Sequence, residues 1–237
     1  AARGAPRHID TPGKLRGLRQ RMESRTMEGM PLKDWYEEGA EAVHAATGGA
    51  ATRTGKAFEL GSLYSPQRQV PINVNDMVGA YNQSMVGDPI QGYGFFHNNM
   101  SRDANKLMYG DRSLTGRKRG NFYRDHMQYV TPGESNLGHH TVDIWDMRSG
   151  EYGSPNQDIY RGTPTPTQYD FMEREGARLT DKISRETGTP FSQTQTQAMR
   201  WGSTKTRFEK GLKPARDEAY RTGVLERLPK GSKEPYK

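Results

Sequence analysis

Cysteine is absent from the 237-residue chain, which removes structural disulfides, iron–sulfur clusters and Cys-ligated zinc from consideration. Apolar residues are scarce as well. They make up 32% of the sequence, against about 45–50% (a figure that counts Gly) in ordinary globular domains. No apolar run approaches the roughly 18 residues of a membrane span, and no short apolar stretch has the flanks of a signal peptide. No alternation of apolar and polar residues marks a strand, and no internal repeat is visible. These absences point to a soluble, sparsely packed domain with no membrane partner. What the chain does hold is 12 Tyr, 11 Met, 7 Phe and 3 Trp, bulky enough to build one modest core. It opens on Ala1 rather than Met and reads as a processed or excised piece.

Charge is unevenly spread. The net value of +7 arises at the ends: residues 1–33 carry eight Lys/Arg and three Asp/Glu, and residues 205–237 carry ten and five. The middle, 34–204, is slightly acidic, with 17 basic and 20 acidic residues. The expected organisation is therefore a basic N-terminal arm over 1–33, in which weak periodicity allows a helix around 14–22, a helical domain over 34–202 and a basic C-terminal arm over 203–237. Arms of this kind grip phosphates and supply affinity without sequence choice. Their bland counterpart is a pair of solvated tails.

Helical spacing dominates the middle, and the expected fold class is all-α. Asp34 and Glu37 sit where a capping box opens a helix carrying Tyr36, Ala40 and Val43. Residues 50–57 read as a polar loop before a short apolar segment, 58–64. Val74, Met77, Val78, Tyr81 and Met85 form one face of the next helix. Shorter helices are expected over 101–108 and 116–129. Thr165-Pro166-Thr167-Gln168 combines an N-cap, a first-turn Pro and a capping-box Gln. Thr189-Pro190 reads as a repeat of that start signal.

Three constellations carry candidate chemistry. In Val142-Asp143-Ile144-Trp145-Asp146, apolar neighbours would desolvate the Asp143 carboxylate and raise its pKa towards a useful range. The competing role for Asp143 is a helix cap, and one carboxylate can do both. His139 and Asp143, four apart, could share a metal, but the six His include no second ligand cluster, so neither metal nor other cofactor is expected. Arg117, Lys118 and Arg119 lie between glycines and lack Walker spacing, which suits phosphate contact rather than a nucleotide loop. Gln193, Gln195 and Gln197, like Gln67 and Gln69, either read base edges or bridge helices, the latter being the blander reading.

These motifs occur in a telling order: Ser65-Pro66-Gln67, Asn73, Lys118 with Asn121-Phe122-Tyr123, Val142-Asp143, then Gln193 to Trp201. The order resembles that of a family of uncharacterised bacteriophage proteins, over about residues 34–202. That family is in turn similar to the helix-hairpin-helix DNA glycosylases. The resemblance implies that Asp143 is the catalytic carboxylate, that Trp145 and Tyr123 stack on a flipped base, and that Arg117, Lys118, Arg119 and Arg148 contact the nucleic-acid backbone. Arg148 is alternatively a partner for Asp146. The glycosylase stretch V-D-T-H-x-x-R keeps its Val, Asp and Arg here, while Ile144 and Trp145 replace Thr and His. No L-P-G-V-G hairpin precedes Asp143, so a Schiff-base lyase is not expected. Two functions follow: a DNA-associated protein hydrolysing N-glycosidic bonds in the infected host cytoplasm, or a non-enzymatic virion protein that kept the fold and uses its arms to contact DNA or other virion proteins.

Overall fold

A computed structural model describes residues 2–65, 70–94, 97–110, 113–131, 140–152 and 164–212. Among these residues the chain is helical and contains no strand: α1 (Pro12–Glu28), α2 (Trp35–Ala46), α3 (Ala51–Tyr64), α4 (Val70–Met85), α5 (His97–Tyr109), α6 (Arg117–Val130), α7 (Ile144–Ser149), α8 (Pro166–Thr187) and α9 (Gln193–Arg207). None of these helices is long and apolar enough to cross a membrane. Gln67, Gln69, His139 and residues 213–237, most of the C-terminal arm, lie outside the described residues.

Two apolar clusters build the body. The first gathers α2 to α6 around α3, whose Ala57, Phe58, Leu60, Leu63 and Tyr64 are buried. The loop expected over 50–57 is instead the first half of α3. Its polar Thr54 is fully buried because its hydroxyl donates to the Ala50 carbonyl and meets His44 Nδ1 at 2.8 Å and Thr47 Oγ1 at 3.0 Å. A satisfied hydroxyl can face a core, which composition does not reveal.

The second cluster joins Leu18 and Met22 of α1 to Val142, Met147 and the inner face of α8. The N-terminal arm is therefore not an arm. Leu15, Leu18 and Met22 form a stripe at i, i+3, i+7 that the four arginines of α1 obscure in the sequence. Those arginines serve the fold: Arg19 pairs through two bonds, 2.9 and 2.7 Å, with Glu175, Arg21 pairs with Glu151, and Arg25 donates to the Ser149 carbonyl at 2.8 Å. Behind α1, Gly29 crosses α9 so closely that a Cβ there would lie 1.9 Å from the Met199 carbonyl oxygen. Leu18→Ala should cost about 2–5 kcal/mol, as other buried Leu truncations do. A urea midpoint unchanged by that substitution would restore the arm.

Helix starts follow side-chain caps. Thr165 and Gln168 form the expected capping box on α8, and Gly188 ends that helix at φ 69°, in the left-handed region. α9 starts later than Thr189-Pro190 suggests, because Ser192 and Gln195 form the box. At α2, Asp34 holds the cap position but turns its carboxylate to Lys33. α9 lies between the two clusters, and Arg200, at its centre, is wholly buried.

Candidate active site

The site is assembled on residues 140–143, an extended segment whose backbone groups are met by side chains from three helices. Asn121 Nδ2 on α6 donates to the His140 carbonyl at 2.9 Å. Asp125 accepts from the Thr141 backbone N–H at 2.9 Å and from its hydroxyl at 2.7 Å. Gln197 Nε2 on α9 donates to the Thr141 carbonyl at 3.1 Å, and the Val142 N–H donates to the Tyr169 hydroxyl on α8, also at 3.1 Å. Every buried backbone group needs such a partner. Here the partners fix where Asp143 falls.

Asp143 then caps α7. Its Oδ1 accepts from the N–H groups of Trp145 at 2.8 Å and Asp146 at 3.0 Å, and its Oδ2 accepts from Trp201 Nε1 at 2.9 Å. Burial raises its pKa, opposed by the Lys118 charge and by the hydrogen bonds it accepts. A carboxylate raised in this way is a stronger base than a solvated one. Below it, Asp146 is completely buried: Oδ1 takes Arg200 Nε at 3.0 Å and Nη2 at 2.5 Å, and Oδ2 meets His140 Nε2 at 3.0 Å. Burial acts to raise the Asp146 pKa, but Arg200 and His140 outweigh it and hold the carboxyl below its ordinary value.

Asp125 shows the opposite balance. Burial pushes its pKa up to about 6, with the Thr141 hydrogen bonds opposing. Because the native carboxyl binds its proton before the unfolded one does, this group's contribution to stability grows as pH falls through about 6. Asp125→Asn removes that contribution, so the variant should be more favourable relative to wild type at pH about 8 than at pH about 5. Urea midpoints at the two values check this; an identical difference at both would contradict it.

In front of Asp143 lies a cavity of about 280 Å³, bounded by residues of the first apolar cluster, by α9 and by the 140–143 segment. Six aromatic rings stand in its wall: Trp35, Tyr36, Phe58, Phe122, His126 and Trp201. Trp35 and Trp201 face each other at 5.5 Å between centroids, tilted by 30°. Burial lowers the His126 pKa to about 4, so the ring is neutral at physiological pH. Glu38, Ser65, Asn73, Lys118, Thr141, Asp143 and Gln197 supply the polar groups.

Of the residues given a catalytic, base-stacking or backbone-contact role, Asp143 and Lys118 reach this cavity, whereas Trp145, Tyr123, Arg117, Arg119 and Arg148 do not line it. Trp145 packs edge-on against Phe208 at 5.3 Å, and Arg148 lies over both of those rings at 4.3 and 4.5 Å. Arg148 therefore sits against aromatics rather than against Asp146, whose guanidinium partner is Arg200. Tyr123 packs on α3, where a Cβ on Gly55 would lie 3.1 Å from its hydroxyl. Arg117 pairs with Asp170 at 2.6 Å and with Glu173, and covers the Tyr169 ring. Arg119 lines a separate small hollow beside Asp103. Gln195 belongs to the α9 capping box, and Gln197 bridges to Thr141, as the blander reading of these amides expects.

The residues that reasoning from sequence missed are Trp35, Asn73, His126 and, as a cavity wall, Gln197 with Trp201. Asn73, Gln197 and Trp201 lay within the ordered motifs, so the signal was present without a role attached. No protein-family model, curated protein or solved structure matches the chain.

Proposed function

We propose that this is a DNA-associated protein whose aromatic cavity receives a nucleobase turned out of its helix, and that Asp143 acts on the N-glycosidic bond of that nucleotide. The observation that carries the reading is convergence. Ser65, Asn73, Lys118, Phe122, Asp143, Gln197 and Trp201 come from five segments of the chain and line one cavity. They are also members of the ordered motifs.

The chemistry follows from that placement. An extruded base gains stacking surface from flat side chains, which offsets part of the unstacking cost. As the C1′–N bond breaks, the electron pair leaves with the base and positive charge grows on the sugar. A carboxylate beside C1′ stabilises that charge, or takes the proton from the water whose oxygen bonds to C1′. Oδ1 is occupied by two N–H groups, whereas Oδ2 accepts one bond and keeps a lone pair. Lys118 is the cation placed to meet a phosphate next to the cavity.

Two of the three tryptophans line the cavity, which supplies a test. In Trp145→Phe protein, duplexes carrying a mismatched or damaged base should quench the remaining emission more than fully paired duplex does. Equal quenching by both, or none, would defeat the reading. A second reading, a non-enzymatic virion protein, draws support from the three hydrogen bonds that Asp143 already accepts, as a purely structural cap would. Many copies per particle in purified virions, counted by mass spectrometry, would favour it.

A further inference from the structure

Asn73 on α4 and Gln197 on α9 are 6% and 2% exposed, and both line the cavity. Each has its amide orientation fixed by a backbone carbonyl. Asn73 Nδ2 donates to the Gly61 carbonyl at 3.2 Å, and Gln197 Nε2 donates to the Thr141 carbonyl at 3.1 Å. A flipped amide would set oxygen against oxygen at either place, so the two orientations are determined. Each amide is therefore left with its oxygen, and among the described residues no donor reaches Asn73 Oδ1 or Gln197 Oε1. A buried acceptor without a donor is costly, and such groups in a cavity wall mark where a ligand's donors belong.

Further acceptors stand in the same wall, with Lys118 as its one lysine. His126 Nδ1 is 2.9 Å from the Phe122 carbonyl, which requires that nitrogen to carry the proton and leaves Nε2 as an acceptor. Asp143 Oδ2 is a further acceptor. Two of the wall's own donors are already turned to protein: Trp201 Nε1 to Asp143, and the Ser65 hydroxyl to the Ser62 carbonyl at 3.3 Å.

From this pattern we infer that the cavity selects nucleobases bearing an exocyclic amino group, whose N–H donors are taken by Asn73 Oδ1 and Gln197 Oε1. The inference rests on the reading that the occupant is a nucleobase. It adds which ones: adenine-, guanine- or cytosine-like rings are accepted, and rings with a carbonyl or a bare C–H in place of the amine are rejected. A ring carbonyl set against either amide oxygen would place acceptor against acceptor, so rejection comes from a lost bond and from repulsion together.

Calorimetric titration of the full chain with 9-methyladenine and 9-methylpurine tests it, since the methyl group removes the ring N–H and leaves the amine as the difference. The same comparison is made between 1-methylcytosine and 1-methylpyrimidin-2-one, which has a bare C–H in place of the amine. The amino-bearing member of each pair should bind about 10- to 100-fold more tightly, the effect of leaving a buried acceptor unpaired. Gln197→Leu and Asn73→Leu should each reduce that preference. Equal affinity within each pair in wild-type protein would overturn the inference and leave the nucleobase reading standing. Failure of every base to bind would overturn both. The wild-type comparison does not depend on whether either Leu variant folds.

Discussion

Asp143→Asn is expected to slow base release by about 10²–10⁴-fold, the usual effect of removing a catalytic acid or base. The amide keeps the shape of the carboxylate and can still cap α7, because Asn Oδ1 accepts from the N–H groups of Trp145 and Asp146 as Asp143 Oδ1 does. The second position changes sign. Asn Nδ2 would face Trp201 Nε1, donor against donor, where Oδ2 now accepts at 2.9 Å. That mismatch should cost about 1 kcal/mol of stability. Adding Trp201→Phe to Asp143→Asn removes the mismatch, so the pair should recover the stability without recovering the rate. In the wild-type protein, base release should fall on acidification as Asp143 takes up its proton. Burial raises its pKa, so the acidic limb should lie above the range of an ordinary carboxylate. A single-turnover rate in Asp143→Asn equal to wild type would remove Asp143 from the mechanism.

Arg200→Met should be the most destabilising single change, at about 3–5 kcal/mol. Arg200 and Asp146 have no exposed surface, and the guanidinium reaches both Asp146 Oδ1, through two bonds, and Ser149 Oγ at 3.1 Å. Methionine fills similar space but leaves a buried carboxylate with His140 as its remaining side-chain partner. Breaking a buried pair costs far more than replacing both partners, so Asp146→Asn in the Arg200→Met background should recover part of the loss. The pair also shapes the acid response. Asp146 has a depressed native pKa, so its stabilisation is complete above the unfolded value and is lost as pH falls below that value through the native one. Arg200→Met should weaken this acid lability. Urea unfolding at several pH values measures both effects, and a loss below about 1 kcal/mol would show that the pair contributes little.

How much of this was legible beforehand depends on which force shaped each element. α8 was readable because Thr165, Pro166 and Gln168 carry their signal locally. α3 was not, because its buried face includes Thr54, Gly55 and Gly61, residues whose burial depends on partners elsewhere in the chain. In α1 a helix around 14–22 was legible but its packing was hidden by charge: the net balance of residues 1–33 suggested a free arm, whereas Arg19 and Arg21 answer Glu175 and Glu151, more than a hundred positions away.

The site divides in the same way. Asp143 stood out from its apolar neighbours and its cap position. Trp145 stood out by proximity alone, yet two positions along a helix turn a side chain by roughly 200°, and it faces Phe208 instead. Phe122 and Tyr123 differ by one such step: Phe122 lines the cavity, while Tyr123 packs on α3. Which of two adjacent aromatics enters a site is decided by how α6 lies against α3 and α2, and no local signal encodes that.

The most direct test of the account is to incubate the wild-type protein with DNA containing normal, mismatched and chemically modified bases, then analyse the products. Free base is identified by mass spectrometry, and abasic sites are counted with an aldehyde-reactive probe. The account predicts free base and abasic sites in equal amounts, on strands that stay intact, since it assigns Lys118 to a phosphate and not to C1′. DNA that is bound yet yields neither product from any substrate would contradict it, leaving Asp143 as the cap of α7 and nothing more.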